Sequence, residues 1–174
     1  MIKLEQQQEV PEGYIRLSGP LERDNIVNGE GLRAVLWTQG CRQHCPGCQN
    51  PDTWACDSGV LIKTEDIISQ LSTFKDQVGI TFCGGEPMIQ ARELLKVARW
   101  AHSNNWNVWS FTGLIYENIY KPENKEIYDL INELDCLIDG PFILSKRDIV
   151  HYKWRGSSNQ RVLHLKNGKI INQE

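Results

Sequence analysis

Ala34-Val-Leu-Trp-Thr-Gln-Gly-Cys-Arg-Gln-His-Cys-Pro-Gly-Cys48 joins a short apolar run to three cysteines within eight residues. The run Ala34 to Thr38 has the length and composition of a strand, and Gly40 halts it directly before Cys41. Cys41, Cys45 and Cys48 follow, with Pro46-Gly47 supplying a bend that can wrap the loop around one metal centre. A strand that opens into a ligand loop places chemistry at its carboxyl end.

Downstream the pattern repeats without the cysteines. Thr64-Glu65-Asp66 reads as a helix start, a hydroxyl cap followed by acids at the positive end of the dipole, and Ile67, Ile68, Leu71 and Phe74 keep helical spacing. Gly79-Ile-Thr-Phe-Cys83 reads as a buried strand halted by Gly84-Gly85 and Pro87. Ala91, Leu94, Leu95, Ala98 and Ala101 form one helical stripe, with Arg92, Glu93, Lys96 and Arg99 facing away. Asn107 to Phe111 is a strand ending at Thr112-Gly113, a helix spans about 123–134, and Cys136-Leu-Ile-Asp139 is a strand closed by Gly140-Pro141. Upstream, Tyr14 to Leu17 reads as a short edge strand, and Asn28-Gly-Glu-Gly31 as a flexible loop. Near the end, Lys166-Asn-Gly168 between two apolar runs signals a hairpin.

Strands alternating with helices predict an α/β fold with a parallel sheet, either doubly wound or a partial (β/α) barrel with one open side. A complete barrel needs roughly 250 residues, more than the 174 present. In both layouts ligands sit at the carboxyl ends of the strands. Gly40-Cys41, Gly84-Gly85-Glu86, Thr112-Gly113 and Asp139-Gly140 all fall at such ends, so four segments should converge on one rim.

The length fits a single domain over residues 1–174, with a polar lead-in at 1–12 and a basic segment carrying the hairpin at 142–174. Hydrophobic residues make up 40% and the net charge is −3, so nothing global demands a nucleic acid or an anionic membrane. No signal-peptide core or apolar run of membrane-spanning length occurs, which predicts a cytoplasmic protein. Reducing conditions argue against pairing the six cysteines as disulfides. Clustered Cys41, Cys45 and Cys48 point to metal, while Cys83 and Cys136 read as small buried apolar residues. In residues 142–171 seven basic residues face only Asp148, a charge that suits either a solvated face or a docking surface for an acidic partner.

Three thiolates leave alternatives open. A structural zinc needs four ligands, and His44 or, with less contortion, Cys56 could supply the fourth. A 4Fe–4S cluster with three cysteines keeps one iron open for chemistry. The spacing Cys-x3-Cys-x2-Cys after a first strand, with Gly84-Gly85-Glu86-Pro87 after the next βα strand, resembles the radical S-adenosylmethionine superfamily. The resemblance implies that Cys41, Cys45 and Cys48 hold one 4Fe–4S cluster and that S-adenosylmethionine binds its open iron and is split to a 5′-deoxyadenosyl radical. Many members carry an aromatic beside the third cysteine, where this chain has Gly47 and Gln49.

Further matches narrow the resemblance: Asp24 to Arg33, Cys48-Gln49-Asn50, Thr53-Trp54, Thr112-Gly113, Asp139 to Phe142 and Trp154-Arg-Gly-Ser-Ser-Asn-Gln160 resemble the anaerobic ribonucleotide reductase activating proteins. That family implies transfer of the radical to a glycine of a partner reductase, with electrons from a donor such as flavodoxin or ferredoxin. It also implies that Gly47, Cys48, Gln49, Gly84, Gly85 and Glu86 touch the cofactor. Its chemistry rests on cluster and S-adenosylmethionine rather than on a catalytic side chain. A sheet open on one side suits a macromolecular substrate that must reach a shielded radical. Two other readings stay open: a small-molecule radical enzyme such as a deazapurine synthase, which Gly29-Glu30-Gly31 resembles, and a non-enzymatic zinc module.

Several residues have a plain structural reading beside a functional one. Residues 155–160 could be a polar turn, and Asp139 could cap the turn after its strand. Trp37, Trp106 and Trp109 read as packing residues, Trp54 as a shield for the cluster, and His102 and His164 as ordinary satisfied histidines.

Overall fold

A computed structural model describes residues 10–174, so most of the polar lead-in lies outside the described residues. In chain order the elements are β1 (Tyr14–Leu17), β2 (Glu22–Asn25), β3 (Arg33–Thr38), β4 (Val60–Lys63), α1 (Thr64–Leu71), β5 (Gly79–Gly84) and α2 (Ala91–Ser103). Then come β6 (Asn107–Phe111), α3 (Tyr116–Ile119), α4 (Lys125–Asn132), β7 (Cys136–Asp139), β8 (Arg161–Lys166) and β9 (Lys169–Gln173).

One sheet runs β4-β1-β3-β5-β6-β7-β8-β9, with β2 also pairing β3. Only β3, β5, β6 and β7 are parallel to one another; β1, β2, β4, β8 and β9 all pair antiparallel. This corrects the expectation of a parallel sheet. Parallel neighbours need a long crossover, usually a helix, and no helix separates β1, β2 and β3. The connection from β7 to β8 is long, but it stays on one rim and re-enters the sheet in the opposite direction.

The sheet is open, and its two faces differ. All four helices send buried side chains into one core, among them Ile67 and Leu71, Leu94 and Val97, Tyr116 and Ile119, Leu130 and Ile131. They meet Ala34, Leu36, Ile80, Phe82, Val108, Leu137 and Leu163, alternate residues of the strands. The opposite face holds a smaller cluster of Trp109, Cys136, Ile138 and Val162, with Phe111 and Trp154 packed on it and no helical residue.

Local expectations changed where long-range partners intervened. β1 lies inside the sheet, because the unexpected strand β4 pairs with its outer edge. Thr64 is the first residue of α1, and its hydroxyl donates to Glu93 Oε2 at 2.7 Å instead of capping the helix. Glu93 is buried rather than outward, since it also accepts from Gly13 N–H and Lys96 Nζ. α4 is shorter at both ends than the predicted helix. The hairpin forms as read, with β8 and β9 joined through Asn167 and Gly168, both at positive φ. Among the described residues no helix is long and apolar enough to cross a membrane.

Candidate iron–sulfur site

The cysteine loop leaves the sheet at the end of β3 and is tied back at once. Gly40 N–H donates to Thr53 O at 2.8 Å and Cys41 N–H to Trp54 O at 3.0 Å. Gln39 donates through Nε2 to Asp52 O and Ala55 O. Gln90 donates in turn to the carbonyls of Gln39 and Arg16. These two buried amides hold the loop's first residue from behind. Sequence reasoning missed both, because a glutamine at a strand end carries no spacing signal.

Cys41 is buried, whereas Cys45 and Cys48 are half-buried in an otherwise exposed loop. Burial pushes the Cys41 thiol up to about 11, while N–H donors from Gln43 and His44 to its sulfur work in the other direction. A thiol held this high stays protonated near neutrality unless a metal replaces the proton. Cys48 N–H closes a turn onto Cys45 O at 3.0 Å, and Asn50 N–H points at the Cys48 sulfur at 3.4 Å. Backbone donors therefore face two of the three sulfurs.

Across the rim, Gly85 N–H donates to Thr38 O and Glu86 N–H to Gly40 O, both at 2.8 Å. The two chains run so close that a Cβ on Gly85 would sit 2.3 Å from Gly40 O. Glu86 is buried and its carboxylate turns inward, accepting from Met88 N–H, Thr112 Oγ1 and Gly113 N–H. Burial raises its pKa above the ordinary value, against the pull of those donors. Its side chain thus braces the end of β5 to the end of β6. Thr112 N–H donates to Ile138 O and Gly140 N–H to Leu114 O, which brings in the fourth segment. All four expected rim segments meet.

Asp139 takes a structural role at that rim. It is buried, accepts from Tyr116 N–H at 2.8 Å, and holds Arg161 by two hydrogen bonds; Arg161 also grips Glu117. Residues 155–160 are more than a turn before the hairpin. Gln160 Oε1 accepts from Gly156 N–H and Ser157 N–H, and Nε2 donates to Gly140 O. Asn159 Nδ2 donates to Pro141 O, while its Oδ1 is buried without a hydrogen-bond partner among the described residues. A Cβ on Gly156 would sit 3.3 Å from Gln49 Nε2, and Leu144 covers Gly47 at 2.8 Å from a Cβ position there. Gly47 and Gln49 are thereby gathered with residues 144–160.

Trp54 stacks on His44 with centroids 4.8 Å apart, beside the loop. Trp106 packs on Trp100 and Trp109 on Trp154, while Trp37 bonds Glu22 through Nε1. His102 contacts Glu133 and Asp135, and His164 contacts Glu174. Cys83 and Cys136 are buried with thiols pushed up to about 12, as small apolar residues. All six cysteines are free. Among the described residues no three His, Cys, Asp or Glu side chains are close enough to hold a single ion. A four-iron cluster sets each thiolate on its own iron and so spans a wider triangle than one ion. Soft thiolates on one tight loop, with amide donors aimed at sulfur, fit that group.

Comparison with known proteins agrees with this chemistry. Residues 27–163 match the family described as 4Fe-4S single cluster domain. The anaerobic ribonucleoside-triphosphate reductase-activating protein of Salmonella typhimurium is 34% identical over 150 residues, 82% of this chain and 94% of that protein. The protein of the same name from Enterobacteria phage T4 is 32% identical, over 79% of this chain and 87% of its own. A pyruvate formate-lyase-activating enzyme of Clostridium pasteurianum is 34% identical over 84 residues, 45% of this chain and 35% of that enzyme.

Proposed function

This chain belongs to the family of anaerobic ribonucleoside-triphosphate reductase-activating proteins, and on that premise we propose that it installs a glycyl radical on an anaerobic ribonucleotide reductase. The observation that carries the reading is the hydrogen-bonded junction of the cysteine loop with the Gly84–Gly85–Glu86 turn, Glu86 N–H to Gly40 O. It sets the ligand loop and the Gly84–Gly85–Glu86 turn side by side at the carboxyl ends of parallel strands.

Cys41, Cys45 and Cys48 are the residues that would hold the 4Fe–4S cluster. When bound, the cluster and S-adenosylmethionine supply the chemistry, a one-electron cleavage to a 5′-deoxyadenosyl radical. The chain's own residues bind and orient. Gly84 and Gly85 seat their turn against Thr38 and Gly40, so that the turn's backbone would receive the methionine end, and Gly47 and Gln49 would line the nucleoside side. Glu86 contributes through its backbone and through the brace it makes to Thr112 and Gly113. Trp54 and His44 cover one flank of the loop against water. We read the four parallel strands as the arc of a partial (β/α) barrel within one domain, its open side admitting the reductase. The electron donor is a flavodoxin or ferredoxin, and the setting is the cytoplasm.

The test is electron paramagnetic resonance. Anaerobically reconstituted protein, S-adenosylmethionine, a chemical reductant and the reductase of the same organism should yield a glycyl radical signal on the reductase. A brown, cluster-loaded protein that cleaves S-adenosylmethionine yet leaves the reductase silent would refute the activase reading.

A further inference from the structure

Two loops on the face of the sheet that carries Trp109 and Trp154 display aliphatic pairs to solvent by the same local device. Asn25 Oδ1 accepts from Val27 N–H and Asn28 N–H, both at 2.8 Å. Asp148 Oδ1 accepts from Val150 N–H at 3.1 Å and His151 N–H at 3.0 Å. Each turn pushes the intervening pair outward: Ile26 and Val27 are 72% and 70% exposed, Ile149 and Val150 58% and 82%.

These turns are built rather than loose. Asn25 is buried and donates to Glu22, and the neighbouring loop is held by Arg33, which bonds Glu30 O and Thr81 while Thr81 bonds Asn28 O. The second loop has a closed stem, with Arg147 bridging Ser157, Ser158 N–H on Lys146 O and Asp148 N–H on Gly156 O. His151 also bonds Asp148, so the loop's one acid is occupied internally. Lys146, Arg147 and Lys153 stay exposed around it.

Both loops rest on one side chain. Gly29 lies flat against Trp109, where a Cβ would sit 2.9 Å from the ring, and Trp154 meets the same ring edge-on at 4.9 Å. The second loop's roots, Leu144 and Gly156, lie on Gly47 and beside Gln49 of the cysteine loop. A body seated on these two pairs is therefore held against the cluster loop.

We infer that Ile26-Val27 and Ile149-Val150 are the two arms of one docking surface for the reductase, which meets them with an apolar patch that carries acidic residues where it faces Lys146, Arg147 and Lys153 of the second loop. The inference rests on the activase reading and adds where the partner sits. Exposed aliphatics occur singly on any surface, but two matched pairs on loops whose Gly29 and Trp154 both meet Trp109, beside the cysteine loop, mark an interaction site. The basic residues around the second loop select an acidic counterpart there and speed its approach.

The test compares wild type with Ile26→Ser/Val27→Ser, Ile149→Ser/Val150→Ser and the fourfold variant, all reconstituted. Calorimetric titration with the reductase should show affinity falling about tenfold for each pair, the scale of an interface anchor. Glycyl radical yield should fall at low reductase concentration and recover near saturation. Reductant-driven cleavage of S-adenosylmethionine without the reductase should match wild type in every variant. Wild-type affinity in the fourfold variant would overturn the inference. So would a defect seen only when flavodoxin replaces the chemical reductant, because the surface would then serve the electron donor. Affinity and radical are read separately. A wild-type chain that binds the reductase through these pairs but installs no radical would sink the activase reading and uphold the docking surface.

Discussion

Replacing Gly85 by alanine tests the junction on which the site depends. The new Cβ would stand 2.3 Å from Gly40 O, 2.8 Å from Gly40 C and 3.0 Å from Thr53 O, all of them backbone atoms. Carbon and oxygen meet comfortably near 3.3 Å, so the two chains must part by roughly 1 Å. The bond from Glu86 N–H to Gly40 O, 2.8 Å in the native chain, would then be broken. Overpacking costs about 1–3 kcal/mol and the lost hydrogen bond about 1, a total of about 2–4 kcal/mol. For a chain of this size each kcal/mol lowers Tm by roughly 2–4 °C, so the expected drop is roughly 4–16 °C. Thermal unfolding of the metal-free protein measures it, and iron content after anaerobic reconstitution shows whether the cysteine loop has shifted. Gly19→Ala is the control, because nothing lies within 4 Å of a Cβ there. A Gly85→Ala protein with native Tm and full iron would show that the close approach is not what positions Cys41.

Cys41→Ala, Cys45→Ala and Cys48→Ala should each abolish the brown absorbance of the reconstituted protein, whereas Cys56→Ala should keep it; visible absorbance together with iron content decides both. Arg161→Met leaves Asp139, 1% exposed, with an unpaired charge. That should cost about 3–5 kcal/mol in urea unfolding, and Asp139→Asn in the same chain should recover part of it. Glu93 is desolvated by burial, which raises its pKa, but Lys96, Thr64 and Gly13 outweigh that and hold it below its ordinary 4.5. A depressed acid stabilises the fold above its unfolded pKa and loses that contribution as pH falls through the folded one. Denaturant midpoints should therefore decline below about pH 4.5, and less steeply in Glu93→Gln.

Much of this protein was legible along the chain, because the features concerned are encoded by short spacings. Three cysteines in eight residues need no tertiary information to suggest a metal, and the stripe from Ala91 to Ala101 or the turn at Asn167-Gly168 depends on neighbours a few residues away. The parallel core followed from alternation of strand and helix, and the convergence of four glycine-bearing strand ends followed from parallelism itself. What the chain could not announce were pairings over long separations. β2 is polar throughout, and β4, exposed over most of its length, runs straight into α1, so neither carries an alternating apolar signal.

Polar side chains were the other blind spot. Glu86 reads as an acid at a ligand rim, yet its carboxylate faces inward because Thr112 and Gly113 arrive there from β6. Glu93 reads as solvent-facing, yet Thr64 and Gly13 enclose it. Gln39 and Gln90 read as nothing, yet they hold the cysteine loop in place. By itself the sequence determined the spacing of the three clustered cysteines, the alternation of core strands with helices and the apolar stripes of α1 and α2, since these depend on backbone period and residue type. The tertiary structure alone decided which buried polar groups find partners, and that Gly29 and Trp154 meet on Trp109. The reason is that desolvated polar atoms must be paired by whatever the fold brings to them, and only the closed fold says what that is.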